Sequence, residues 1–488
     1  MSHELMIAPS HHRGGMFNCC GGVEFDRRGS TLILVLWTVG ICTLIVLSLQ
    51  VSAFRQSSAG ADAIGRVRAK WAARAGVEEC IAYLVWETQH AEDSDPVRLW
   101  NALADLSTGE LPGATWEIEH EEEGEILEGP LDAHSKLNVN LMTEDQLMLL
   151  DGMTPDVARS ILDWIDTNDD PMENGGTESS YYEKLNPPYE ARNGPVRSLL
   201  ELELVFGVEP ELLRGEDWNL NGILDENEND GDLSWPPDNA DNYLDAGWSG
   251  LITAVSKGPG FGQSGEPKLM LATADLGEIA DRLGVDVDQA QALKDYASRG
   301  GNTLEALITT PLSQLSTSNS GNGSSNNTGN NNGGSSNGGT GGDNGSDGGS
   351  NNNSGAQVSD LNVEQLRRVL DEGLVGGISR NVPGKINLNT APREVLELIP
   401  GIGPTLADQI MFTRSTSSRG FTNLLDLLNV PGMTEQQVVA IAPFVDVRSN
   451  VYTITSRGRA TTGRAEVELL VTIDRSELPI RIIDYLER

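Results

Sequence analysis

Residues 30–54 read STLILVLWTVGICTLIVLSLQVSAF, where Cys42 is the only ionisable side chain, and Arg27 and Arg28 stand just before them. About 20 apolar residues, rising 1.5 Å each, span the roughly 30 Å hydrocarbon core of a bilayer, and a lone segment satisfies its own backbone there only as a helix. The stretch predicts one membrane-spanning helix. It does not end in turn residues. Past Phe54 the chain continues RQSSAGADAIGRVRAKWAARAGVEECIAYLVWE, with Ile64, Val67, Trp71 and Ala75 at spacings of three and four, followed by Val77, Ile81, Leu84 and Val85. That periodicity extends the helix, apolar first and amphipathic after.

A short basic leader ending in Gly29, then a membrane helix continuous with a soluble amphipathic half, resembles the N-terminus of type IV pilins and pseudopilins. The resemblance implies cleavage between Gly29 and Ser30 by a prepilin peptidase and methylation of Ser30. It also implies one helix in the inner membrane, with the bulk of the chain in the periplasm. The rival is a secretory signal peptide cut after Val51-Ser52-Ala53, for which the apolar region is too long. Most pilins carry glutamate at the fifth mature position, where this chain has Leu34. A carboxylate in a bilayer is costly unless paired. The family's glutamate is thought to pair with the N-terminal amine of a neighbouring subunit, so a subunit with no neighbour above it has no use for one. In this the chain resembles the protein K family of the type II secretion system, minor pseudopilins of the pseudopilus tip. Other minor pseudopilins are then the implied partners.

The chain carries 34 Lys+Arg against 72 Asp+Glu, a net charge of -38. The expected leader is balanced, so the whole charge falls on the mature protein. Such a field repels nucleic acid and anionic lipid and supplies oxygen ligands for hard cations. Cys19 and Cys20 lie in the leader, Cys42 in the membrane segment and Cys80 on the helix, which leaves no disulfide framework for the soluble part. The six histidines are scattered, and no nucleophile elbow or phosphate loop is present. The expectation is a protein that is not an enzyme.

Residues 113–129 have the alternation of a strand pair turning at Glu123-Gly124, and residues 451–474 that of a hairpin turning at Thr461-Thr462-Gly463, with a further short strand at 480–485. These predict one antiparallel sheet built from both chain ends. Between them lies an internal repeat. Lys136-Leu-Asn-Val-Asn and Lys385-Ile-Asn-Leu-Asn each lead into an apolar helix, a Gly-containing turn and a second helix, and a weaker copy starts at Lys268. Each copy is trailed by a half-copy. The pattern resembles helix-hairpin-helix units, most closely at Pro400-Gly401-Ile402-Gly403. Residues 163–189, DWIDTNDDPMENGGTESSYYEKLNPPY, with the continuation RNGPVRSLLELELVFGV, resemble the acidic segment of the protein K family.

The expected fold class is α+β: a long N-terminal helix, a pilin-like sheet and inserted helical repeats. The expected domains are a leader 1–29, a membrane helix 30–54, a pilin-like helix with first strands 55–137 and an α-domain 138–250. A further repeat 251–315, a linker 316–357 joining repeat pairs, a helix-hairpin-helix domain 358–446 and C-terminal strands 447–488 complete them. Residues 316–355 contain only Gly, Ser, Asn, Thr and Asp, which cannot build a core.

One motif carries specific chemistry. Asp217-Trp-Asn-Leu-Asn-Gly-Ile-Leu-Asp-Glu-Asn-Glu228 fits the twelve-residue calcium loop at each ligand position. Oxygens come from Asp217, Asn219, Asn221, the Ile223 carbonyl, Asp225 and a bidentate Glu228, with Gly222 at the sharp turn. Protein K relatives are understood to bind calcium in their α-domain, which makes Asp166, Asp169 and Asp170 a second candidate cluster. The competing reading of the whole chain is a membrane-tethered, competence-type DNA receptor, in which Gly401 and Gly403 present backbone N–H groups to phosphate. Four cations against six carboxylates between Gly384 and Asp446 weigh against that reading, and no nucleic acid is expected as a partner. A calcium-dependent surface protein with a signal anchor is a third possibility.

Overall fold

The computed structural model describes residues 30–91, 95–122, 124–258, 260–317, 358–376 and 383–488. The expected leader with Gly29, and residues 318–357 of the expected linker, lie outside the described residues. The chain divides into two compact units, Met1–Ala63 and Ile64–Arg488. The described part of the first is helix alone, the beginning of α1, Ser30–Gln89. This helix is long and apolar enough to cross a membrane, and every side chain from 31 to 63 is exposed.

In the second unit, α1 packs on an antiparallel sheet drawn from both chain ends, as expected. The strand order is Thr108–Leu111, Ala114–Glu122, Val451–Ala460, Glu466–Asp474, Arg481–Glu487, with Glu125–Glu128 paired to the second strand and Leu131–Asp132 to the third. Alternation sorts the second strand's side chains. Ala114, Trp116, Ile118 and His120 turn inward, while Glu117, Glu119 and Glu121 turn to the opposite face.

The face that α1 buries differs from the one its large residues suggest. Gly65, Ala69, Ala72, Ala73, Gly76, Val77, Cys80 and Leu84 are buried, whereas Ile64, Val67 and Trp71 are 56%, 56% and 57% exposed. Close approach explains the choice. A Cβ at Gly458 on the facing strand would sit 1.9 Å from the Ala69 carbonyl oxygen, and one at Gly76 would sit 2.4 Å from Trp116 Cδ1. Small residues therefore face the sheet and large ones face away from it. Burial pushes the Cys80 thiol up to about 12, so it is a packing residue, not a reactive one.

The inserted part is a set of three units, each closed by a two-residue parallel ladder between its first and last segments. Leu137–Asn138 pairs with Ile252–Thr253, Leu269–Met270 with Gly373–Leu374, and Ile386–Asn387 with Val445–Asp446. The recurring Lys-x-Asn-x-Asn has a physical reason. Asn138 and Asn387 accept from the N–H groups of Asn140 and Asn389, turning the chain out of the ladder. Asn140 and Asn389 then pin the start of the half-copy, each exchanging two hydrogen bonds with one backbone, Val196 (2.7 and 3.1 Å) and Phe421 (2.8 and 2.9 Å). Lys136 and Lys385 donate to the Ser249 and Ala442 carbonyls, just ahead of each closing strand.

These ladders redraw two of the expected boundaries. Units one and three share one apolar core, which runs from Leu137 to Trp248 and Ile252 and from Ile386 to Val447. A separate core joins residues 269–315 to the helix Val363–Glu372, through Ile279, Leu283, Leu293, Leu307 and Val369. The segment 358–376 thus buries its apolar side in the middle repeat, and meets the helix-hairpin-helix region behind it through polar contacts, Arg367 with Asp426 (2.7 Å) and Asn423 with the Arg367 carbonyl (3.1 Å). The described residues on either side of the Gly/Ser/Asn segment, Leu312–Thr317 and Val363–Glu372, both belong to this middle repeat.

Candidate cation-binding site

Residues 217–228 form a loop on the face of the sheet that turns away from α1. Gly222, with φ of 72°, makes the sharp turn at the sixth position, a conformation that costs glycine nothing. The buried Asp217 carboxylate accepts from the N–H groups of Asn221 and Gly222, both at 3.0 Å. Glu228 reaches back into the loop, accepting from Trp218 N–H (3.0 Å) and Asp225 N–H (3.2 Å). Asn219 and Asn221 each donate an amide N–H to the same Asp225 oxygen, at 2.6 and 3.0 Å. The loop carries three carboxylates, two amides and the Ile223 carbonyl at the seventh position, donor types that suit calcium. Its carboxylates are not drawn together, however: among the described residues the acidic oxygens that lie within 4.8 Å of one another are those of Asp163, Asp166 and Glu178.

Burying these carboxylates near one another has an electrostatic cost. Burial pushes Glu228 up to about 7, with the Asp217 and Asp225 carboxylates adding to the shift. Burial likewise pushes Asp217 up to about 6, opposed by hydrogen bonds from Gly222 and Asn221 and by the Lys136 ammonium. Both carboxylates sit where a proton or another cation is favoured.

A second cluster forms around the end of the helix Pro155–Ile165. Oxygens of Asp163, Asp166 and Glu178 all lie within 4.8 Å of one another. Asp163 is held by Met172 N–H at 3.1 and 3.2 Å, and a Cβ at Gly176 would fall 2.1 Å from its Oδ2, so this loop closes on Asp163 only with glycine there. Glu178 is 1% exposed, and among the described residues neither of its oxygens has a hydrogen-bond partner of full geometry, the adjacent Ser179 N–H giving it weak support. Burial pushes it up to about 7, and the Asp163, Asp166 and Asp169 carboxylates add to the effect. A buried carboxylate so weakly supported by donors, beside two others, fits a hard cation as well as it fits a proton.

Of the second candidate set, the structure brings in Asp166 and leaves Asp170 exposed and outside. Asp169 stands at the rim, accepting from Ser179 N–H at 3.4 Å, and its carboxyl is held below the usual range chiefly by the Ser179 hydroxyl. Nothing in the sequence marks Asp163 and Glu178 as partners. They are fifteen residues apart, and the turn between them has no ligand spacing of its own.

The Gly401 to Gly403 turn has the geometry of a hairpin, with Gly401 at φ of 94° and the helix Pro404–Thr416 beginning behind Gly403 without a side-chain cap. Its cations are engaged elsewhere. Arg393 binds Asp408 and Glu397, Arg419 binds Asp95, Lys385 binds Glu305, and Arg414 donates to the Leu388 and Ala391 carbonyls.

Residues 132–215 match the family model of the type II secretion system protein K, and this segment contains the second acidic cluster. That segment is similar to protein K of the type II secretion system. Residues 383–446 match the helix-hairpin-helix motif. A chain in the crystal structure of the GspK-GspI-GspJ complex from the enterotoxigenic Escherichia coli Type 2 Secretion System aligns over 86% of this chain and 95% of its own length, at 11% identity and a TM-score of 0.41. No curated protein sequence matches the chain significantly.

Proposed function

We propose that this protein is a minor pseudopilin at the tip of a type II secretion pseudopilus, a structural and initiating subunit in protein export and not an enzyme. The observation that carries the reading is the helix. An apolar half of membrane length runs without a break into the helix of a sheet built from both chain ends, in a chain whose residues 132–215 are protein K sequence. The single helix anchors the protein in the inner membrane and leaves the rest in the periplasm. Cleavage by prepilin peptidase leaves Ser30 as the methylated N-terminus. The outward stripe of Ile64, Val67 and Trp71 supplies an apolar surface just past the membrane segment, for the N-terminal helices of other minor pseudopilins. Calcium occupies the loop 217–228 and the Asp163, Asp166 and Glu178 cluster, and relieves the crowding of like charge in both.

One experiment tests the assembly. Protein extracted from membranes should begin at Ser30 and carry the other minor pseudopilins with it. Trp71→Asp should keep that N-terminus and the native melting temperature but lose the partners. A mature start at Phe54 would sink the reading.

A further inference from the structure

Asp225 is the one ligand of the loop 217–228 already bound to a full positive charge. Arg457, on the strand Val451–Ala460, places Nη2 on Asp225 Oδ1 and donates from Nε to Glu468 Oε2 at 2.8 Å. The other Asp225 oxygen takes the amide groups of Asn219 and Asn221. A guanidinium and two N–H donors thus converge on one carboxylate, and both amides show it nitrogen, the end opposite to the oxygen a metal would require. Meanwhile the loop backbone is fastened to the sheet without any help from Arg457. Thr455 Oγ1 donates to the Asn221 carbonyl (2.9 Å), Glu121 N–H to the Gly222 carbonyl (2.7 Å), and Leu224 N–H to Glu121 Oε2 (3.1 Å).

We infer that Arg457 is the loop's internal cation, holding Asp225 when no divalent ion is bound and withdrawing onto Glu468 when one binds. The inference rests on the calcium reading of this loop. Two positive charges sharing Asp225 repel each other across a partly buried site, so the ion and the guanidinium compete for it. Glu468 gives the displaced guanidinium a partner, since it already accepts from Nε and lies 3.3 Å from Asn221 Nδ2. Calcium affinity is then set partly by a residue of the sheet, outside the twelve-residue motif. In exchange, the ion-free loop keeps its place on the sheet.

The test is a calcium titration of the detergent-solubilised full chain, read by the emission of Trp218 inside the loop, with Glu178→Gln as background to silence the other cluster. Arg457→Gln should tighten binding by about tenfold, the scale of a buried charge competitor removed. Arg459→Gln, on the same face but paired with Glu117 and Glu466, should leave affinity unchanged. Arg457→Lys, which keeps the charge and loses the fork, should fall between and covers the case in which the glutamine variant folds poorly. Melting in chelator should show Arg457→Gln costing more stability than it does in excess calcium. If the background protein binds calcium and both Arg457 variants bind it equally or more weakly, Arg457 supports the site and the inference is wrong. If the background protein binds no calcium, the calcium reading of the loop falls, and the inference with it.

Discussion

At the scale of single residues, the carboxylates that stand out are those whose neighbours do not neutralise them. Asp132 is similarly buried, yet its oxygens accept from Asn387, Thr390, Ser449 and the His134 N–H. Glu178 lacks such a set of donors, and burial beside the Asp163, Asp166 and Asp169 carboxylates makes its folded form favour the proton. The sign follows from linkage. A carboxyl raised from its ordinary 4.5 to about 7 binds its proton more tightly folded than unfolded, so its contribution to stability is fullest below about pH 4.5 and is lost as pH rises toward 7. A tenfold difference in proton affinity between the folded and unfolded chain is worth about 1.4 kcal/mol, enough to move a melting curve. In chelator, the melting temperature should therefore fall between pH 5.5 and 7.5, with Glu228 and Asp217 acting in the same direction, and Glu178→Gln should remove Glu178's share and make the fall shallower. Excess calcium should remove it, because the ion takes the same lone pairs and binds best when they are deprotonated. A chelator profile that rises over this range would show that Glu178 is ionised in the fold without help.

At the scale of elements, what can be read in the sequence is whatever is contiguous. The long helix, the strand pair and the C-terminal hairpin carry their periods in consecutive residues, and the twelve positions of the loop 217–228 lie in one run. The closing ladders carry no such signal. Two residues cannot show alternation, and each pairs with a segment about 60 to 115 positions away in the chain. The buried face of α1 is hidden for another reason, since it is lined by alanine and glycine, which hydropathy ranks below the Ile64, Val67 and Trp71 that face outward. The ladder from Leu269–Met270 to Gly373–Leu374, with the Arg282 to Glu372 ion pair beside it, yields a prediction. Limited proteolysis within residues 318–355 should give two fragments that stay together through gel filtration and melt within a few degrees of the intact chain. Separation of the fragments without denaturant would mean that the second unit does not close as described.

At the scale of the whole molecule, net charge decides between two uses of the same hairpin. Helix-hairpin-helix turns offer backbone N–H groups to phosphate, and the Gly401 to Gly403 turn keeps that geometry. Affinity for duplex DNA, however, comes mostly from released counterions and needs several unpaired cations near the contact. The four cations between Gly384 and Asp446 are bound to carboxylates or carbonyls, and the chain around them carries a net charge of -38. Freeing Arg393 for a phosphate would mean leaving Asp408 and Glu397 unpaired beside a polyanion, so even the best-placed cation gains little. The turn instead acts as a packing device: Ile402 is buried in the core shared by the first and third units. The full chain should therefore show no duplex binding up to tens of micromolar protein near physiological salt, and lowering the salt should not rescue it, because the protein's own field repels the duplex more strongly as screening weakens. Micromolar binding that weakens steeply with added salt would return the hairpin to a nucleic-acid role and reverse the choice between the two functions.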